Sequence, residues 1–117
     1  HCKEMPIAYS LADVVVSASI EPEAFGRVSV EAQAMGKPII ASNLGGSKET
    51  IMKDKSGFLY KHDDPRQLAQ ILNDIMELDQ ESLNSIGNEG RKNVTKKFDV
   101  EAMCDSTLRE YKKLLNI

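Results

Sequence analysis

The chain has 117 residues, 41% of them hydrophobic, and carries 15 basic against 18 acidic residues for a formal net charge of -3. That size supports one modest hydrophobic core, and that charge excludes a general electrostatic attraction to nucleic acid. No apolar run approaches the length of a membrane span or a signal segment, so a cytoplasmic domain is expected, with any contact at the inner membrane peripheral and made by surface charge.

The spacing predicts a short helix over residues 5–12, started near Pro6, and then a Val-rich strand over residues 13–17 of the continuous apolar kind that a buried parallel sheet requires. A loop over residues 19–26 leads into a helix over residues 28–35, closed by Gly36 with Pro38 just beyond it. Residues 39–42 form a second strand. Gly45 and Gly46 turn into a short helix reaching Met52, and Lys55-Ser56-Gly57 turns into a third strand over residues 58–60. The remainder is helical. Asp64 reads as an N-cap with Pro65 at the first helical position and Gln67 completing a capping box, and Leu68, Ile71, Leu72, Ile75 and Met76 share one apolar face. A second helix covers residues 81–97, and Asp99 caps a third whose Met103, Leu108, Tyr111, Leu114 and Leu115 form an amphipathic stripe. This order predicts an α/β fold, a three-stranded parallel sheet with flanking helices, which is half of a doubly wound domain.

The chemistry concentrates in residues 23–38. Glu23 and Glu31 stand with seven residues between them, across a Phe25-Gly26 turn that opens an apolar helix. A loop running into a helix N-terminus offers unpaired backbone N–H groups and the positive end of the helix dipole, both suited to a diphosphate. Gly26 allows the backbone to approach such a ligand closely. Glu31 falls about a turn inside the helix, where a carboxylate can accept two hydrogen bonds from a diol such as a ribose. Taken alone, it reads more readily as a solvated acid stabilised by the helix dipole. Glu23 could meet a second polar group farther along the ligand, or bond only to water beside Glu21.

This segment resembles the donor-binding signature of retaining glycosyltransferase family 4 (group 1), of GT-B fold. The likeness continues through Lys37-Pro38-Ile39-Ile40-Ala41-Ser42, Gly45-Gly46-Ser47-Lys48-Glu49 and Gly57-Phe58-Leu59, back through Ala12-Asp13-Val14-Val15-Val16-Ser17, and forward to Phe98 and the Tyr111 helix. It departs from the commonest pattern at Ala24, where Gly is frequent, and at Arg27, where Leu or Ile is frequent. The resemblance implies that residues 1–117 are part of the C-terminal nucleotide-sugar-binding domain, the second half of its Rossmann-like fold. It gives Glu31 the donor ribose hydroxyls, Glu23 the catalytic position beside the transferred sugar, and Phe25, Gly26, Arg27 and Val28 the loop that meets the diphosphate. Glu21 is then a decoy.

The implied activity is transfer of a hexose-type sugar from a nucleotide-diphosphate donor to an acceptor in bacterial surface polysaccharide or lipopolysaccharide synthesis. The implied partners are that donor and an N-terminal half of the enzyme, which would supply an Arg-Lys pair for the diphosphate and the acceptor cleft. Because the first residue is His1 rather than Met, the sequence reads as a processed or excised piece, expected to be inactive alone. A non-catalytic remnant or assembly partner of a split glycosyltransferase is the alternative, and a sugar-nucleotide epimerase is a weaker one. Asp13, Val14, Val15, Val16 and Ser17 are expected to form a strand central to the intact sheet. Its free edge should then either pair with a second copy in a homodimer or lie under an N-terminal segment. Gly45 and Gly46 either face the same cleft or simply turn the chain. Arg27 either adds a cation near the phosphates or points to solvent. Lys92, Lys96, Lys97, Lys112 and Lys113 read as a solvated face rather than a lipid-binding patch. Cys2 and Cys104 lie far from each other and from His1 and His62, so free thiols are expected, with no disulfide, metal site or cofactor.

Overall fold

Three short apolar segments, each bounded by Gly, Pro or Ser, pair as a parallel sheet in the order β1 (Val15–Ser17), β2 (Ile39–Ser42), β3 (Gly57–Tyr60). The register sets Val15 against Ile39 and Ile39 against Gly57, and it continues to Ser42 against Tyr60. The structure is a computed structural model describing residues 2–117. Six helices surround the sheet: α1 (Met5–Leu11), α2 (Arg27–Ala34), α3 (Ser47–Thr50), α4 (Pro65–Met76), α5 (Gln80–Lys97) and α6 (Val100–Leu115). A parallel sheet needs cover on both faces, and alternation along β2 supplies it. Ile39 and Ala41 point into a cluster with Tyr9, Ala32 and Ile51, whereas Ile40 points the other way, against Tyr60 and Ile75. All of β2 is buried, as befits the central strand.

α5 lies close against α2 and the turn that follows it, with a glycine at two points of contact. A Cβ on Gly87 would run into the backbone of Gly36, and one on Gly90 would sit 3.0 Å from the Gln33 side chain. Close approach lets Asn93 reach inward, and its amide donates to the Gln33 Oε1 (3.2 Å) and to the Thr50 carbonyl (2.9 Å). The Gln33 amide in turn donates to the carbonyls of Ser29 and Thr50. Gln33 and Asn93 are buried, and these bonds replace the lost hydration of both amide N–H groups and of Gln33 Oε1, though not of Asn93 Oδ1, while tying α2, α3 and α5 together.

Several details differ from the sequence expectation. The predicted strand over residues 13–17 shortens to Val15–Ser17, and α1 ends at Leu11. Gln67 does not close a capping box on Asp64. Its Oε1 accepts from the Lys61 N–H instead, while Asp64 Oδ1 accepts from the Gln67 N–H at 3.0 Å. Met76 leaves the apolar face of α4 and is 81% exposed, because the helix turns it past the edge of the core. The stripe on α6 is helical as expected, yet no residue of α6 is buried. Amphipathic spacing specifies a helix and one apolar face, not the surface that face meets.

Among the described residues β1 pairs only with β2, so its other edge carries no strand. α1 packs on the α2 face, through Tyr9 in the core and through Lys37 Nζ, which donates to the Ser10 carbonyl. Cys2 and Cys104 are free and exposed, and among the described residues no cluster of His, Cys, Asp and Glu could hold a metal ion. No helix of the described residues is long and apolar enough to cross a membrane. Of the five C-terminal lysines, Lys92 pairs with Glu89 and Lys113 with Glu110 on solvated helix faces.

Candidate functional site

The candidate residues gather at the carboxyl ends of β1 and β2, where open parallel sheets present their ligand crevices. From β1 the chain passes through residues 18–26 into α2, and from β2 it passes through residues 43–46 into α3. These two loops dock backbone to backbone. The Gly46 N–H donates to the Glu23 carbonyl at 2.7 Å. A Cβ on Gly45 would collide with the Glu23 carbonyl, and one on Gly46 would collide with the Phe25 carbonyl. The glycines turn the chain, and they do so packed against the backbone of the candidate loop.

Gly26 is the N-cap of α2 in the left-handed region, with φ +78, and no side chain caps the helix. A Cβ there would stand 3.0 Å from Ser47 Oγ, so both conformation and space call for Gly. The first N–H groups of α2 thus face the crevice without a local side-chain acceptor.

Glu23 is half-buried, and its Oε1 accepts from Ser19 Oγ at 2.7 Å, whereas Glu21 is exposed. This separates the two loop acids on physical grounds. Phe25 projects away from the crevice, meeting Phe98 edge-on with ring centroids 5.7 Å apart. Its ring beside Phe98 bounds a groove of about 440 Å³ at the start of α6, so only its backbone remains with the loop. Val28 turns inward and packs on the core cluster containing Ile39.

Glu31 lies on the exposed flank of α2 with both oxygens engaged. Tyr9 Oη donates to Oε2 at 2.9 Å, and Arg27 donates to Oε1 at 3.2 Å. Arg27, 83% exposed, points to solvent and bridges to Glu31 one helical turn on. Its spacing of four residues made that pair readable in advance. Tyr9 was missed, since nothing in residues 5–12 marks its ring as more than core. Burial first, then the hydrogen bond and negative charge of Glu31, push the Tyr9 hydroxyl up to about 12, with Arg27 opposing. A cavity of about 360 Å³ opens beside the pair, lined by Met5, Pro6, Tyr9, Glu31 and Met35 among others. Each carboxylate oxygen has two acceptor sites, so Glu31 retains one on each oxygen for a ligand.

Comparison with known proteins places the fold in a family. Residues 1–93 match the family described as "Glycosyl transferases group 1". Among the relatives, the Staphylococcus aureus capsular polysaccharide biosynthesis glycosyltransferase CapM is 33% identical over 95 residues, which is 75% of this chain and 25% of that protein. The crystal structure of a glycosyltransferase from Rickettsia africae matches with TM-score 0.91 and 35% identity over 98% of this chain and 31% of its own. Anabaena HepE, solved in complex with UDP-glucose, matches with TM-score 0.82 and 30% identity over 91% of this chain and 29% of its own. The chain thus spans between a quarter and a third of these proteins. With the GT-B sheet and the paired loops at its carboxyl edge, the chain belongs to the group 1 glycosyl transferases.

Proposed function

We propose that residues 1–117 form part of the C-terminal donor domain of a retaining hexosyltransferase, which moves a sugar from a nucleotide-diphosphate donor to an acceptor in bacterial surface polysaccharide or lipopolysaccharide synthesis. The observation that carries this reading is the Glu31 carboxylate, held on α2 a turn beyond an N-terminus that no side chain caps. A donor laid along α2 would put its diphosphate against the backbone of Gly26, Arg27 and Val28, within the positive end of the helix dipole. The ribose diol would then donate to Glu31. Glu23, braced by Ser19 Oγ at the loop tip, would stand by the sugar, where an anion stabilises positive charge developing at the anomeric carbon. Phe25 contributes its backbone, while its ring holds the loop to Phe98.

UDP-glucose in the HepE structure supports the donor class, and the role printed for CapM supports the acceptor class. The relatives are three to four times longer than this chain, so the acceptor cleft and the cations for the leaving diphosphate are assigned to the further segment they carry. This chain alone should bind donor without transferring sugar. Titration calorimetry with a panel of nucleotide-diphosphate sugars tests the reading. Glu31→Ala should weaken binding by about 1.5–3 kcal/mol, the worth of hydrogen bonds to a charged group. In an enzyme assembled with the further segment, Glu23→Ala should lower kcat more than donor affinity. Unchanged affinity in the first variant and unchanged turnover in the second would return both acids to structural roles, and robust transfer by this chain alone would refute the division of the site.

A further inference from the structure

We infer that Tyr9 is a positioning residue for the donor site, its hydroxyl fixing the Glu31 carboxylate in the rotamer that receives the nucleotide's ribose diol. This rests on the reading of Glu31 as the diol acceptor. Three observations carry it. Tyr9 is 5% exposed and belongs to the core cluster with Ala32, Ile39 and Ala41, so its ring is anchored. The hydroxyl nevertheless reaches the rim of the core beside a cavity, 2.9 Å from Glu31 Oε2. A long acidic side chain on a helix flank samples several rotamers unless something holds it. The bridge from Arg27 is a weak restraint, because the guanidinium end is exposed and such pairs contribute little.

Tyrosine suits this role better than a cation would. A neutral O–H donor orients the carboxylate without adding a second cation to the exposed Arg27, so Glu31 keeps its strength as an acceptor for the two ribose hydroxyls. A tyrosine hydroxyl is protonated at neutral pH at its ordinary value of about 10, so Tyr9 is a donor there. The bond occupies one acceptor site on Oε2 and leaves the other, with one on Oε1, for a ligand. A carboxylate fixed before the ligand arrives binds more tightly than a mobile one, because its ordering entropy is already spent.

The test begins without ligand. Side-chain J couplings of Glu31, measured by NMR in the protein, should report one rotamer in wild type and averaging in Tyr9→Phe, which keeps the ring and removes the hydroxyl. Arg27→Leu should leave the single rotamer in place. Averaging in wild type, an unchanged rotamer in Tyr9→Phe, or averaging in Arg27→Leu would each overturn the inference. The second arm titrates UDP, GDP and ADP against the protein, each beside its 2′,3′-dideoxy counterpart. Tyr9→Phe should weaken binding of the tightest ribonucleotide about 5- to 10-fold and of its dideoxy counterpart less than 2-fold. Equal losses for both would mark Tyr9 as purely structural and overturn the proposal. If Glu31→Ala left the preference for ribose over dideoxyribose intact, or no nucleotide bound, the diol reading would fall instead. The rotamer measurement would still decide whether Tyr9 holds Glu31.

Discussion

Gly45 and Gly46 press the second loop onto the first, and a set of alanine substitutions separates the two reasons for glycine. At Gly36 the backbone is left-handed, φ +68, but an added Cβ would find its nearest neighbour 4.0 Å away, so only conformation is at stake. Gly46 has φ -64, an ordinary value, yet its Cβ would lie 2.6 Å from the Phe25 Cα and closer still to its carbonyl. Gly45 combines both penalties, with φ +52 and a collision with the Glu23 backbone. A left-handed non-glycine residue costs about 1–2 kcal/mol, overpacking costs about 1–3 kcal/mol, and alanine recovers about 0.4–1 kcal/mol by restricting the unfolded chain. Gly36→Ala should therefore lose about 0.5–1 kcal/mol, Gly46→Ala about 2 and Gly45→Ala about 3, the last two toward the upper end because a backbone carbonyl cannot swing aside. Urea unfolding with a common slope measures the order directly. Donor titration should follow a different order, weakened at Gly45 and Gly46 by displacement of the Glu23 loop and unchanged at Gly36. If Gly46→Ala were as stable as wild type, the backbone docking of the two loops would be refuted.

Two further outcomes follow from buried polar groups. Asn93→Ala should destabilise the protein by about 1–3 kcal/mol, since it strands Gln33 Oε1. A double-mutant cycle with Gln33→Ala should return a coupling energy of about 0.5–3 kcal/mol, and simple additivity would dissolve the network. At alkaline pH the Tyr9 hydroxyl, near 10 when unfolded and about 12 when folded, keeps its proton longer in the native state. Its contribution is fully present below pH 10 and is lost as the pH rises toward 12, a fall on the order of 2 kcal/mol. Tyr9→Phe should flatten that stretch of the stability profile, and an unaltered profile would show that Tyr9 does not cause it.

Local chemistry made most of the architecture readable. Pro65 behind Asp64, Asp99 before a periodic run, and Gly36 followed by Pro38 mark helix ends through groups that act within a few residues. The apolar runs before Ser17 and Ser42 declared buried parallel strands for the same reason. The loop acids were legible as candidates because their spacing across Gly26 is written in the chain, and the Arg27–Glu31 bridge because four residues make one helical turn. Tertiary structure decided the rest. Tyr9 meets Glu31 across 22 residues and Asn93 meets Gln33 across 60, and no periodicity encodes such a meeting. Gly87 and Gly90 read as helix-weakening until α5 is laid on α2, when the missing side chains become the condition for contact. The sequence places Phe25 in the candidate loop, and only Phe98, at the end of α5, shows what its ring meets. Periodicity is a property of one helix, whereas a site is made by the distances between several, and those are set when the sheet brings its loops to a common edge.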